Sequence, residues 1–333
     1  MEEKIQTVRE ITTLTGGFMP AQIVLTANRL EVFTHLSGTK LTGQQLAERL
    51  NTDARATELL CNALTALGFL QKKGGLFWNS AKADEHLVQG QPFYCGDNLR
   101  HQANYWHRWS QLEEVIKTGE PLPKKVDSPE EEKQQAAEFT LAMANIGRLS
   151  AAQTAAGLDL RNVRKMIDIG GGPGTYALEF VKKNPDLQVV VFDRPPVAAV
   201  AEESIRKSTF QKNITYRAGD CFVDNLGSDY DLAFLSNFIH IYSLEEIVVL
   251  FRRIWPALKS SGKLVVKDFF VNDERTGPPF AAQFALHMLI NTERGSVYSL
   301  SEMQTALKEA QFQCISHFEV GEHSTVIVAE KAD

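Results

Sequence analysis

The sequence predicts an α/β chain in two parts: a helical N-terminal unit containing a winged-helix pattern, then a doubly wound, mostly parallel sheet. Three observations predict it. Met166-Ile-Asp-Ile-Gly-Gly-Gly-Pro-Gly174 runs from an apolar strand into a glycine cluster, and the amphipathic segment Tyr176 to Lys183 follows. Strand, tight turn and helix together open a βαβ unit. From there to the last residues, strand and helix patterns alternate, which implies a parallel sheet with helices on both faces and ligands at the carboxyl ends of its strands. Residues 41–79 instead read helix, turn, helix and hairpin, a smaller and different architecture. A chain of 333 residues has room for both.

Taken in order, residues 5–36 carry Ile5, Val8, Ile11, Ile23, Val24, Leu30, Val32 and Phe33 at helical spacing, with a break at Gly16-Gly17 and Pro20. Many of these apolar residues lack a partner within so short a segment, so a second subunit is expected to cover them. Leu41-Thr42 is expected to start a helix with Leu46, Ala47 and Leu50, and Asn51-Thr52-Asp53 to cap the next. Lys73-Gly74-Gly75 makes the hairpin, with Lys72 and Lys73 as ordinary turn residues. Residues 92–118 are rich in aromatics, expected mostly in the core, with one or two lining a pocket. Gly119 to Glu132, with three prolines and a charge cluster, reads as an exposed linker before a helix from Gln134 to Leu158. The expected domains are 1–100 (winged helix), 101–158 (helical linker that contributes to the substrate pocket) and 159–333 (sheet).

Composition narrows the function. The chain is 44% hydrophobic and 23% charged with a net charge of -6, which argues against a nucleic-acid surface. Residues 1–100 carry ten Lys+Arg against ten Asp+Glu, and the second helix of the winged pattern presents Asp53, Arg55 and Glu58. A groove reader needs a basic face, so the unit reads as a packing and dimerisation module. Cys61, Cys95, Cys221 and Cys314 lie far apart, without zinc or disulfide spacing. No signal peptide or membrane-length apolar run is visible, so a reduced, cytoplasmic setting is expected. No carboxylate or histidine cluster has metal-ligand spacing.

The glycine spacing carries the chemistry. A dinucleotide fingerprint needs glycine at its first, third and sixth positions, but the sixth position counted from Gly170 is Thr175. What is present is Asp168-x-Gly170-x-Gly172-x-Gly174, which resembles the nucleoside-binding loop of class I S-adenosylmethionine (SAM) methyltransferases. Asp193 ends the second strand of the sheet, where a carboxylate accepts ribose hydroxyls; it also suits a helix N-cap before Pro195. Asp220 ends the third strand, placed to accept an adenine amino group with Cys221 and Phe222 against the ring. An Asx turn is the alternative for Asp220.

From about residue 10 to 330 the chain resembles the small-molecule O-methyltransferases related to plant caffeate and flavonoid enzymes, animal hydroxyindole O-methyltransferase and bacterial antibiotic-tailoring enzymes. The matching motifs are the glycine loop, Phe192-Asp193-Arg194-Pro, Gly219-Asp220-Cys-Phe222, Ser236-Asn-Phe-Ile-His240, Gly262-Lys-Leu-Val-Val-Lys-Asp268 and Tyr298-Ser-Leu-Ser-Glu302. The resemblance implies a homodimer formed through a winged-helix domain and a Rossmann-like domain that binds SAM and releases S-adenosylhomocysteine. It places Asp168, Gly170, Gly172, Gly174, Asp193, Arg194, Asp220, Cys221, Phe222 and Ser236 at the cofactor. It makes His240 the general base and Asp268 the acid that orients it. Phe139, Met143, Phe238, Phe284, His287 and Met288 then form the acceptor pocket, His287 either bonding the substrate or acting as a second proton acceptor.

The chain departs from the family pattern at three places: Ile241-Tyr242 follows the histidine in place of Asp-Trp, Val297 stands near a second carboxylate's position, and Ser236 replaces a lysine. These departures keep C- or N-methylation open beside an aromatic or enolic hydroxyl acceptor. A SAM-binding protein with other chemistry and a SAM-sensing regulator are the remaining alternatives.

Overall fold

A computed structural model describes residues 2–123 and 128–332. The chain divides into two compact units between His107 and Arg108.

In the first unit, α1 (Glu2–Gly16), α2 (Phe18–Arg29) and α3 (Val32–Leu36) are separated at Gly17 and at Glu31, whose φ is 56°. Leu41–Thr42 pairs as a two-residue strand, β1, and Thr42 then caps α4, which spans Gly43–Leu50. The reason is local. Thr42 is the N-cap, with its hydroxyl accepting from Gln45 N and the Gln45 side chain accepting from Thr42 N. Its extended backbone is therefore left to pair with the hairpin. α5 (Ala54–Ala66) follows, its Asp53 cap accepting from Ala56 N. β2 (Leu70–Lys73) and β3 (Leu76–Asn79) close a sheet of order β1-β3-β2. Lys72 and Lys73 thus sit on a strand, not in the turn, which is Gly74-Gly75, both with positive φ. Short α6 (Ala81–His86) and α7 (Gly96–Trp109) complete this part of the chain. The core of the unit collects Phe33, Leu36, Leu46, Leu64 and Phe77.

α8 (Leu112–Thr118) and α9 (Pro129–Gly157) belong to the second unit. Residues 124–127 of the expected linker lie outside the described residues. Its end is the first turn of α9, because Ser128 caps Glu131 N and Pro129 suits the first helical position. The sheet is built from β4 (Lys165–Ile169), α10 (Thr175–Lys183), β5 (Gln188–Asp193), α11 (Ala198–Lys207), β6 (Ile214–Ala218), β7 (Tyr230–Ser236), α12 (Leu244–Ile254), β8 (Leu258–Asp268), α13 (Pro279–Asn291), α14 (Leu300–Glu309), β9 (Phe312–Val320) and β10 (Ser324–Lys331). Strand order is β6-β5-β4-β7-β8-β10-β9, with β10 antiparallel to both neighbours and the other described pairs parallel.

Two apolar layers cover this sheet. On one face Phe180, Phe234 and Val265 pack with α9 and α10; on the other Leu235, Phe251 and Val266 pack with α12 and α14. Lys183 Nζ donates to the Ala155, Ala156 and Leu158 carbonyls at the end of α9, which ties that helix to α10. The order reverses between β4 and β7, so the switch point opens at the carboxyl ends of these strands. No helix among the described residues is long and apolar enough to cross a membrane.

Candidate active site

The loop after β4 is shaped by its glycines. Gly170, Gly172 and Gly174 have φ of 70°, 53° and 77°, conformations that glycine alone adopts freely. At Gly170 a Cβ would also lie 2.3 Å from Phe238, and at Gly171 2.7 Å from the Asp168 carboxyl. The loop is pinned at both ends, by Gly170 N–H donating to Phe192 O and Gly174 N–H to Gly171 O. α10 starts at Gly174 without a side-chain cap, so its N-terminal amides face the loop.

Asp168 is fully buried beneath this loop, and its Oδ2 makes no hydrogen bond. Burial, with the Asp193 charge second, pushes its carboxyl up to about 8. A raised carboxyl favours the folded state fully below the unfolded value near 4 and loses that contribution as pH climbs through about 8. Asp168→Asn removes the group but keeps its shape. The variant's melting temperature is expected to gain on the wild type from about pH 5 to about pH 8.5 in ligand-free melts. A pH-independent difference between the two refutes this account.

Asp193 is not a helix cap. Its Oδ2 accepts from Gly172 N at 2.8 Å and its Oδ1 from Arg194 N at 2.7 Å, so it joins the glycine loop to the end of β5. Burial raises its carboxyl against these two N–H donors. Each oxygen keeps a further lone pair for a diol. Tyr216 fastens the same turn, its hydroxyl reaching the Asp193 and Arg194 carbonyls. Arg194 itself is exposed.

Asp220 takes the Asx-turn geometry: exposed, with Oδ1 accepting from Phe222 N at 2.8 Å. Arg253 of α12 braces this turn through the Cys221 and Asp224 carbonyls. Cys221 is buried, and Phe222 packs at 4.8 Å on Tyr242, which packs at 5.2 Å on Phe238. Tyr242, absent from the sequence-level site, thus links the loops after β6 and β7 in one aromatic row. Phe238 stands in that row against Gly170. Ser236 Oγ is buried at the end of β7 without a hydrogen bond.

On β8 and the turn after β7, two residues expected from the sequence meet. His240 Nδ1 and Asp268 Oδ1 are 2.8 Å apart, 28 residues apart in the chain. Asp268 also accepts from Phe269 N at Oδ1 and from Phe238 N at Oδ2. A carboxylate held by two backbone donors is the acceptor, so Nδ1–H donates and Nε2 is left with its lone pair. His240 is 8% exposed, its ring stacked on Phe269 at 6.3 Å and met edge-on by Phe284 at 5.0 Å. Val297 is buried with Val271 and Ala281 beside Phe269 and Phe284. His240 therefore stands beside the Asp268 carboxylate and against an apolar wall.

α13 carries Phe284, His287 and Met288, the last buried. Trp109 Nε1 donates to His287 Nδ1 at 3.0 Å. Indole only donates, so His287 Nδ1 is the acceptor of this bond. Nothing in the sequence linked these residues, 178 positions apart. On α9, Gly147 faces Tyr176 of α10 and Met143 lies one turn earlier, partly buried; Phe139 is 46% exposed. Among the described residues no group of three or more His, Cys, Asp or Glu is placed to hold a metal ion.

Comparisons with known proteins bear on this arrangement. Residues 112–313 match the family model described as an O-methyltransferase domain, and residues 12–89 that of an O-methyltransferase dimerisation domain. The chain is 31% identical to 3-hydroxy-5-methyl-1-naphthoate 3-O-methyltransferase of Streptomyces sahachiroi, over 90% of its own length and 88% of that protein's. It is 28% identical to N,N-dimethyltransferase OxyT of Streptomyces rimosus, over 92% and 90%. Among solved structures, human N-acetylserotonin methyltransferase in complex with SAM covers 98% of both chains with a TM-score of 0.89 at 24% identity, a likeness of fold.

Proposed function

Because the chain belongs to the SAM-dependent O-methyltransferase family, we propose that it methylates a hydroxyl of a small aromatic or enolic acceptor, with His240 as general base. The observation that carries this reading is the buried His240–Asp268 pair, 2.8 Å long, at the carboxyl ends of β7 and β8. The remaining site roles are part of the same proposal.

The residues present suit the cofactor. The positive-φ glycines bring backbone close to a ligand, Asp193 suits a ribose diol, and two buried oxygens, Asp168 Oδ2 and Ser236 Oγ, have no protein partner. Asp220, Cys221 and Phe222 would border the base, with Arg194 beside the ribose. When bound, SAM supplies a sulfonium methyl that an oxygen in line with it can take.

The chain's own work is to place and deprotonate that oxygen. A phenol keeps its proton up to about pH 10. His240 Nε2 takes it as the oxygen attacks, and Asp268 stabilises the imidazolium through Nδ1–H. Phe269, Phe284 and Val297 keep water from the base. His287, Phe139, Met143, Phe238, Phe284 and Met288 orient the acceptor. Incubation with methyl-labelled SAM and a panel of hydroxyaromatics, read by product NMR, tests this. An O-methyl product is expected; absence of transfer despite tight S-adenosylhomocysteine binding overturns it. The likeness to an N,N-dimethyltransferase supports a second reading, an amine acceptor, and the same spectra separate the two.

The N-terminal domain is read as a winged-helix dimerisation module. Val8, Ile11, Leu14, Phe18 and Met19 are all more than half exposed on α1 and α2, an apolar face that suits a second copy of this chain. Lys72 is committed to Glu58 and Asn62, which argues against phosphate binding. A Leu14→Lys, Phe18→Asp double variant is expected to halve the mass measured by light scattering; an unchanged dimer mass removes this face from the interface. Four free cysteines suit a reducing, cytoplasmic setting.

A further inference from the structure

The last residue but one of β8 is not used by the reaction above. Lys267 is 1% exposed, although it carries an ammonium group. It lies beside Ser236 in the parallel ladder, so the two side chains leave the same face of the sheet, the face that holds Phe234 and Val265. Its Nζ donates to Asn237 Oδ1 at 3.0 Å. The aromatic rings of Tyr176 and Phe269 have their centroids 5.9 and 5.6 Å from Nζ. Among the described residues no carboxylate forms an ion pair with it.

This is an unusual way to bury a charge. An ammonium has three donors and needs acceptors or a counter-charge once water is removed. One amide oxygen and two ring faces supply only part of that. The group is also in a telling place. It precedes Asp268, which holds the base; it neighbours Phe269, on which His240 stacks; and it neighbours Tyr176, in the first turn after the glycine loop. Beside it, Ser236 Oγ is a buried polar atom without a hydrogen-bond partner. Asn237, held at φ 50° in the turn that leads to His240, closes the set.

We propose that Lys267, with Ser236 and Asn237, is a carboxylate anchor inside the cleft. It supplies a buried cation for a carboxylate on the acceptor ring or for the amino-acid carboxylate of the cofactor. The inference rests on the methyltransferase reading and deepens it, since it assigns a charge requirement to one ligand of the site.

The test uses the full chain, Lys267→Met and Lys267→Arg, with binding measured by calorimetry. One probe pair is S-adenosylhomocysteine and 5′-methylthioadenosine, which lacks the amino-acid carboxylate. The other, added with saturating S-adenosylhomocysteine, is 3-hydroxy-2-naphthoate and 2-naphthol. In one pair, Lys267→Met is expected to weaken the carboxylate-bearing member by more than about tenfold, as loss of a charge-assisted hydrogen bond would. Its carboxylate-free counterpart is expected to change little, and Lys267→Arg to recover most of the loss. A loss in the first pair assigns the anchor to the cofactor, and in the second to the acceptor. Wild-type-like S-adenosylhomocysteine binding by Lys267→Met, with no selective loss of the naphthoate, overturns the proposal; so does an equal fall of both members of a pair. Failure of the wild type to bind S-adenosylhomocysteine at all would instead overturn the methyltransferase reading.

Discussion

His240→Ala is expected to lower kcat by about 10²–10⁴-fold, the usual contribution of a positioned general base, while S-adenosylhomocysteine binds as it does to the wild type. The geometry separates the two effects. The imidazole hangs from the turn after β7 and is held by Asp268, Phe269 and Phe284. The proposed nucleoside contacts come from the glycine loop, Asp193 and the turn after β6. Removing the ring therefore removes a proton acceptor and leaves the cofactor's partners standing. Initial rates with labelled SAM and a phenolic acceptor, beside calorimetric titration with S-adenosylhomocysteine, measure both quantities. Turnover within about twofold of wild type would deny His240 the role. Asp268→Asn offers a check of the orienting acid: an amide can present its NH₂ to Nδ1 and so favour the wrong tautomer, and kcat should fall with little change in the affinity for S-adenosylhomocysteine.

Asp193→Ala should act on the other side, weakening S-adenosylhomocysteine binding by about 10²-fold or more. The estimate assumes two hydrogen bonds from a ribose diol to a partly buried carboxylate, each worth about 1.5–3 kcal/mol. The same change frees Gly172 N–H, which Asp193 Oδ2 now holds at 2.8 Å, so the loop loses its tie to β5 as well. Asp193→Asn keeps one acceptor oxygen for that tie and should lie between alanine and the wild type. Calorimetry decides the matter, and an unaltered dissociation constant for the alanine variant would remove Asp193 from the ribose site.

Much of the site was legible because its signals are short in sequence. Asp168, the glycines and the start of α10 lie within a dozen residues, and their φ values follow from the turn they must make. Thr42 and Asp53 announce helix starts because each cap side chain accepts from a backbone N–H three residues on. Asp193 and Asp268 were legible as acids at strand ends, since a doubly wound sheet sends its strand ends to one ligand edge. The family resemblance pointed to the histidine that Asp268 bonds.

Other features belong to the folded chain. Leu41-Thr42 reads as a helix start, and its pairing with Leu76 and Phe77 exists only once the hairpin has formed. Lys72 looks like a surface lysine until α5 presents Glu58 and Asn62 to it. Trp109 and His287 carry no mutual signal, because neither lies in a motif with the other. Lys267 reads as the polar end of an apolar strand, and only the fold brings Tyr176 of α10, Phe269 and Asn237 around its buried ammonium group.

By itself, then, the sequence determined the order of strands and helices, the glycine loop and the acids at the strand ends. Each of these depends on periodicity or on neighbours a few residues away. Tertiary structure alone decided which partners His240 and His287 meet, which face Lys267 occupies and which polar atoms are buried without a partner. Those properties depend on groups brought together from distant segments, and a hydrogen bond or a lost shell of water is fixed by position in space.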